Sequence, residues 1–308
     1  MSILRIQNLS KEYSKGLFGR KFRALNNLNL EVEEGEIFGF LGPNGAGKTT
    51  TIKILLRIIF PTSGQAWLLD KPLGELSDLY KIGYMPENPY FYRFLTGEEF
   101  LLFYAKLIGL NHEDARKKVE RLLDVVGLSY AKKTRVGEYS KGMVTRIGLA
   151  QSLVTDPTLL LLDEPMSGLD PIGRREIRDL IVQLKEQKKT IFFCSHILAD
   201  VEMLCDRVAI LNKGELIKLG TVQELLTSGP ARYIVSFDNL PSDVLPELQS
   251  AADSHQDISG IHHFTVNHAE EARKIAELAL AKNANLIEFR PERGTLEDYF
   301  VREVGTHE

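Results

Sequence analysis

Gly42-Pro43-Asn44-Gly45-Ala46-Gly47-Lys48-Thr49 is the stretch on which this sequence turns. It fits G-x-x-x-x-G-K-[ST] at every fixed position. An apolar run, Glu36 to Leu41, precedes it, and helix-forming residues follow from Lys48 to Ile59. Strand, glycine loop and helix, in that order, make a phosphate site. The glycines let backbone N–H groups turn inward around anionic oxygens, and the helix points its positive dipole end at the same anion. In such a site Lys48 reaches the β- and γ-phosphates of a nucleoside triphosphate and the Thr49 hydroxyl ligates Mg²⁺. The alternative, a glycine turn beside a lysine, lacks a reason for the flanking strand and helix.

A second acidic site agrees with the first. After Pro157 comes Thr158-Leu159-Leu160-Leu161-Leu162-Asp163, an apolar run short enough for a buried parallel strand. Asp163 ends that strand, where a carboxylate can face a Mg²⁺ shell. Glu164 comes next, projects differently and can orient an attacking water or take its proton. Alone, the pair reads better as the cap of the next turn, which Pro165 and Gly168 permit. The phosphate loop upstream tips the balance.

Outward from these two sites, strands and helices alternate. Leu4 to Asn8 and Ala24 to Val32 read as strands, separated by an excursion, Lys15 to Arg23, with two glycines and basic and aromatic residues. It is a loop with half-buried Phe side chains, or a contact for lipid or a partner. Leu79 to Met85 is a further strand, and Glu98 to Ile108, Glu113 to Val126 and Gly142 to Val154 carry helical spacing. That region, about 86–156, is a helical subdomain inserted into an α/β core. Arg174 to Lys185 and Ala199 to Cys205 read as helices. Thr190 to Ser195, Val208 to Leu211 and Glu215 to Leu219 read as strands, so a parallel sheet with packed helices follows. The turn cluster Ser228-Gly229-Pro230 marks a boundary. Beyond it, Tyr233 to Phe237, Ile261 to Val266 and Asn285 to Arg290 are strands, and Ala269 to Lys282 and Leu296 to Glu303 helices. The domains are therefore 1–228 and a small α+β unit, 229–308.

Composition sets outer limits. The 308 residues carry a formal charge of −4, 44% hydrophobic and 26% charged residues, the profile of a globular protein and not of a disordered one. Mild acidity argues against holding nucleic acid by bulk charge. Cys194 and Cys205 are too few for a disulfide framework and read as reduced thiols. No apolar run approaches the roughly 18–20 residues that span a bilayer, and Met1 to Ser10 lacks the layout of a signal peptide. A cytoplasmic chain, resting on a membrane only through a partner, is expected.

With these residues assembled, the chain resembles the ATP-binding subunit of an ABC transporter from Ile3 to about Leu226. Tyr13 matches the aromatic that stacks on adenine, and Gly42 to Thr50 the Walker A loop, with Thr50 inside it. Tyr139-Ser140-Lys141-Gly142-Met143 stands where most members read Leu-Ser-Gly-Gly-Gln. Leu159 to Glu164 matches Walker B with its catalytic glutamate, Ser167-Gly168-Leu169-Asp170 the D-loop, and His196 the switch histidine. The resemblance implies a P-loop NTPase cassette with a mixed core sheet and an ATPase acting with Mg²⁺. Its catalytic residues would be Glu164, His196 and Lys48. Nucleotide contacts would come from Tyr13, Gly42 to Thr50, Glu87, Ser140, Gly142 and Asp170, and metal contacts from Thr49, Glu87 and, through water, Asp163. It also implies two cassettes pairing head to tail over two ATP molecules, a separate multi-span permease, a place on the inner face of the cell membrane, and no nucleic acid partner.

Tyr13, His196 and Asp170 each have a plain reading too: a surface tyrosine, a structural histidine, and the cap of the helix near Pro171. Ser140 is expected to cap the helix pattern that starts at Gly142, whatever else it does. Two departures stand out. Glu87 replaces the usual Gln, and Lys141 and Met143 replace Gly and Gln of the signature. Both resemble a branch that works with separate permeases, many of them exporters, whose C-terminal extensions end much like Thr295-Leu296-Glu297-Asp298-Tyr299-Phe300. Chromosome-type relatives place a long coiled coil between phosphate loop and signature, and ribosomal ones carry two cassettes. Here only Thr50 to Glu138 intervenes, without heptads, and one cassette is present. A purely regulatory module would be favoured by loss of Lys48, Asp163 or Glu164, and all three are present. His255, His262, His263 and His268 fit no standard metal spacing and read as surface and strand-face residues.

Overall fold

The five residues Ile37–Leu41, the five Leu159–Asp163 and the six Thr190–Ser195 are buried at every position. Strands buried on both faces read as continuous apolar runs, and they need a layer on each side. A computed structural model of the chain describes residues 2–15, 20–73, 76–227, 232–292, 295–297 and 299–300. Gly16 and Gly19 of the excursion, the Ser228-Gly229-Pro230 cluster, Asp298 and the end of the last expected helix lie outside the described residues. Two compact units divide the chain, residues 1–222 and 223–308.

In the first unit the chain runs β1 (Ser2–Lys15), β2 (Arg20–Glu33), β3 (Ile37–Leu41), α1 (Lys48–Leu55), β4 (Ser63–Leu68), β5 (Lys71–Pro72) and β6 (Ile82–Met85). The helices α2 (Gly97–Leu107), α3 (His112–Val125) and α4 (Lys141–Ser152) follow, then β7 (Leu159–Asp163), α5 (Pro171–Glu186), β8 (Thr190–Ser195), α6 (Leu198–Leu204), β9 (Arg207–Asn212) and β10 (Glu215–Thr221). Helix α7 (Val222–Thr227) begins at the division between units.

Two sheets make the core. The six-stranded one has the order β10-β9-β3-β8-β7-β6. Its β3, β6, β7, β8 and β9 pair in parallel, and β10 closes the edge antiparallel to β9. The sheet is therefore mixed, as the family resemblance implied, and not the purely parallel one the alternation alone predicted. The second sheet, β2-β1-β4-β5, is antiparallel. Strands β1 and β2 run 14 residues each, well past the runs read from hydrophobicity, because their far ends pair Tyr13 with Phe22 and Ser14 with Lys21 as an exposed ribbon. Ladder hydrogen bonds, not burial, carry them there.

Burying one Leu side chain contributes about 1.5–3 kcal/mol. The four leucines of β7 are fully buried, so this strand is a rigid platform for the acidic pair at its end. Helix α1 stops at Leu55, short of the Ile59 expected. Arg57 adopts a left-handed φ of 55°, which a continuing helix does not allow. Thr96 caps α2 in a box with Glu99, which fixes the entry to the helical subdomain.

The second unit is a four-stranded antiparallel sheet, ordered β12 (Ser254–Ile258), β13 (Ile261–Val266), β11 (Arg232–Asp238) and β14 (Asn285–Glu292). Helices α8 (Leu245–Ala251) and α9 (Ala269–Ala281) complete it. Ala272, Ile275, Ala276 and Ala279 form the buried stripe of α9 against Val235, Phe237 and Phe264. Helix α8 and strand β12 were not legible as elements, because α8 is seven residues long with a proline at its start and β12 is a short, mostly polar stretch. His255, His262 and His263 lie on β12 and β13. Among the described residues, no group of three or more His, Cys, Asp or Glu could hold a metal ion.

Candidate functional site

The phosphate loop joins β3 to α1 with unusual backbone at its last turn. Gly47 takes a left-handed φ of 112° and stands directly before Lys48 with no side-chain cap. A Cβ there would lie 2.6 Å from Leu25 Cδ2 and 2.7 Å from the Ala24 carbonyl oxygen, so conformation and space both require glycine. Helix α1 therefore starts with exposed N–H groups facing the loop's concavity.

A cavity of about 200 Å³ opens there, lined by the loop, by Tyr13 and Phe22, and by Glu87, Asp163 and Glu164. Lys48 Nζ donates to the Gly42 carbonyl at 2.6 Å and lies 3.6 Å from Glu164 Oε1, with both side chains buried. The Thr49 hydroxyl donates to Asp163 Oδ2 at 3.4 Å. Glu164 holds a left-handed φ of 51°, sustained by its N–H donating to the Cys194 carbonyl at 3.0 Å and its own carbonyl accepting from Ser167 N at 3.1 Å. Such strain persists only where surrounding bonds enforce it. His196 Nδ1 lies 2.8 Å from Glu164 Oε2. A carboxylate only accepts, so Nδ1 carries the proton and Nε2 is left free.

Negative charge is crowded in this cavity. Burial, then the neighbouring Glu164 and Glu87 carboxylates, push Asp163 up to about 6, against the opposing pull of Lys48 and the Thr49 hydroxyl. Oxygen donors from Thr49, Asp163 and Glu87 with surplus negative charge suit a hard cation such as Mg²⁺. The protein offers too few ligands for a cage, and that suits a metal held largely by phosphate oxygens.

The loop residues, Tyr13, Glu87, Asp163 and Glu164 are thus brought together, and His196 joins through Glu164. Gly42 and Ala46 of the loop, and Ser140, Gly142 and Asp170, are not among the cavity's lining residues. Ser140 caps α4, its hydroxyl accepting from Met143 N at 3.3 Å. Asp170 caps α5, its Oδ1 accepting from Gly173 N at 2.8 Å. Lys141 lies against Gly168, where any Cβ would collide with its ammonium, so the start of α4 and the turn before α5 touch within one chain. Sequence reasoning passed over Phe22, which lines the cavity beside Tyr13 as its cross-strand partner. Only the strand register reveals it. Lys11 Nζ sits 5.2 Å from the Tyr13 ring centroid, occupying one region around that ring.

Comparison with known proteins places this geometry. Residues 25–167 match the family model described as ABC transporter. An ABC transporter ATP-binding protein of Synechocystis sp. is 42% identical over 306 residues, covering 98% of this chain and 85% of that protein. A fluoroquinolones export ATP-binding protein of Mycobacterium tuberculosis is 38% identical over 280 residues, covering 90% of each chain. The solved structure of cbiO1 from Clostridium perfringens, part of an ABC transporter complex, superposes with a TM-score of 0.66 at 28% identity, covering 74% of this chain and 91% of that one. This chain belongs to the ABC transporter ATP-binding subunits and is an ATPase of that family.

Proposed function

We propose that two cassettes, each formed by residues 1–228, pair head to tail so that the α4 end of one covers the ATP held by the phosphate loop of the other. The observation that carries this is an incomplete pair of half-sites on one chain. The cavity holds Lys48, Thr49, Asp163 and Glu164 but neither Ser140 nor Gly142. The base rests on Tyr13, with Phe22 beside it. The loop N–H groups and Lys48 hold the β- and γ-phosphates, and Thr50 sits in the same wall. Mg²⁺, when bound, neutralises phosphate charge next to Thr49, Asp163 and Glu87. Glu164 orients the attacking water through a carboxylate oxygen and receives its proton. His196, donating from Nδ1, keeps that carboxylate turned toward the cavity. Asp170 holds the D-loop against α5.

The chain energises a separate multi-span permease at the inner face of the cell membrane. Among the described residues, no helix is long and apolar enough to cross a membrane, which supports that division of labour. Glu87 follows the last residues of β6 and precedes the helical subdomain, so it links the γ-phosphate to the surface that moves the permease. The likeness to an export protein for fluoroquinolones supports export of amphipathic small molecules. The unit 229–308 is accessory to the cassette.

The test is Glu164→Gln. ATP binding by calorimetry should remain within about threefold, while phosphate release falls by about 100-fold or more, the range for loss of a general base. Turnover near the wild-type rate would remove Glu164 from the role of base.

A further inference from the structure

A second, larger cavity of about 370 Å³ lies away from the nucleotide, where α3 meets the C-terminal ends of α4 and α5. Its lining does not share one residue with the first cavity. Leu122 on α3, Leu153 after α4 and Leu184 on α5 supply buried side chains to its floor.

The rim is cationic, and its charges are unevenly paired. Lys189 donates to Asp156 Oδ1 at 2.6 Å and to the Pro157 carbonyl at 2.8 Å. Lys117 is bound to Glu113 at 2.6 Å. Asp114 Oδ2 accepts from Asn111 at 2.7 Å. Lys118 and Arg121, one helical turn apart on α3, form no hydrogen bond or ion pair with a described residue. Both face Asp156. The Lys189 hydrogen bond, and then the charges of Lys189, Lys118 and Arg121, hold its carboxyl below the usual range. Of the two lining carboxylates, Asp156 is paired with Lys189 and Asp114 is held by the Asn111 amide. Four cations, Lys117, Lys118, Arg121 and Lys189, thus line the cavity against two carboxylates, and Lys118 and Arg121 stand beside its apolar floor with no hydrogen-bonded partner among the described residues.

We infer that this cavity is a binding site for a small amphipathic anion, a carboxylate or phosphate monoester on a short apolar body. The head group would pair with the Lys118 ammonium and with Arg121, whose guanidinium fork suits an oxyanion. The apolar body would cover Leu122, Leu153 and Leu184. The volume falls within the range of small-ligand pockets and is too small for a protein segment with its flanks. Chemistry selects the anion: a neutral ligand would leave two cations unanswered, and a bare inorganic anion would leave the apolar floor in water. The site bridges α3 to α4, which leads into β7, and to α5, which leads into β8, so its occupant would restrain motion of the helical subdomain. This inference goes beyond the ATPase reading and does not depend on it.

The probe is octyl phosphate, titrated calorimetrically into the full chain with its nucleotide site saturated by ADP. The expected dissociation constant is about millimolar or tighter. The neutral Lys118→Gln/Arg121→Gln variant should weaken it about tenfold or more. Both positions carry polar side chains at the rim, so the fold should be kept, which an unchanged Tm verifies. Lys48→Ala should bind octyl phosphate as the wild type does. Equal affinity in the Lys118/Arg121 variant, or in an inorganic phosphate titration, overturns the inference. So does recruitment of the chain to phosphatidylglycerol vesicles that the variant abolishes, since the cations would then serve a membrane surface.

Discussion

The two helix N-termini that the proposed pairing brings to one ATP are built in opposite ways. Helix α1 begins after Gly47 with no side-chain cap. Its free N–H groups, Lys48 and the walls of a cavity face inward together. Helix α4 begins with Ser140, whose hydroxyl already accepts from Met143 N. It has no acidic residue in its first turn, carries Lys141 there, and is exposed. The first end is a complete half-site. The second is satisfied for folding and does not line that cavity. A cation at a helix N-terminus is unfavourable by itself, because it meets the positive end of the dipole. Under the proposed head-to-tail pairing, the contrast teaches that a chain can fold both halves of an ATP site and still need a second copy to join them.

The largest expected effect falls on the first end. Lys48→Ala removes the one buried cation beside three carboxylates. ATP affinity should fall about tenfold or more and phosphate release about 100-fold, following the weight of preorganised electrostatic contacts. If both survived, α1 would not be the phosphate end. At the second end, Ser140→Arg should lower phosphate release about tenfold while ATP affinity of the isolated chain stays within about twofold, because Ser140 does not line the chain's own cavity. Equal loss of ATP binding would erase the distinction between the two ends.

A smaller pair of effects concerns backbone. Gly47→Ala should destabilise the fold by about 1–3 kcal/mol, since φ is 112° and Leu25 and Ala24 crowd the site. Gly142 has nothing within 4 Å and lies in the first turn of α4. Gly142→Ala should therefore leave stability unchanged or raise it, by up to about 1 kcal/mol. Urea denaturation measures both. A Gly142→Ala chain that is more stable but hydrolyses ATP more slowly would show that this glycine serves a close approach by the partner and not the fold.

The smallest effect is a pH slope. Asp163 is raised to about 6, chiefly by burial, and ionises near its ordinary value of 3.8 in the unfolded chain. Its neutral form is favoured by folding, so the associated stability is present in full below about pH 4 and is lost as pH rises through 6. The metal-free, nucleotide-free chain should thus lose part of this contribution between pH 5 and 7. Asp163→Asn should remove that part of the slope, and denaturation at the two pH values reads it. The α4 end has no such group, so Ser140→Ala should leave the slope as it was.

Legibility followed the kind of interaction. The loop Gly42 to Thr49 was readable because each residue type answers to a local demand: positive φ at Gly47, exposed N–H groups, one amine. The buried strands β7 and β8 were readable because apolar runs of that length have few other uses. The far ends of β1 and β2 were not, since ladder bonds hold them and no hydrophobic pattern marks them. Phe22 beside Tyr13 was hidden for the same reason. The end of α1 was hidden because Arg57 is an ordinary helix former, turned left-handed by what surrounds it.

Sequence alone determined the chemistry of each side chain and the two helix ends, because capping, glycine conformation and charge act within a few residues. Tertiary structure alone decided which of them share a cavity. The Asp163–Thr49 and Glu164–His196 contacts join segments separated by 114 and 32 positions. The order of strands β3, β8 and β7 in one sheet brings them together. That order is set by the packing of buried faces, which no local stretch encodes.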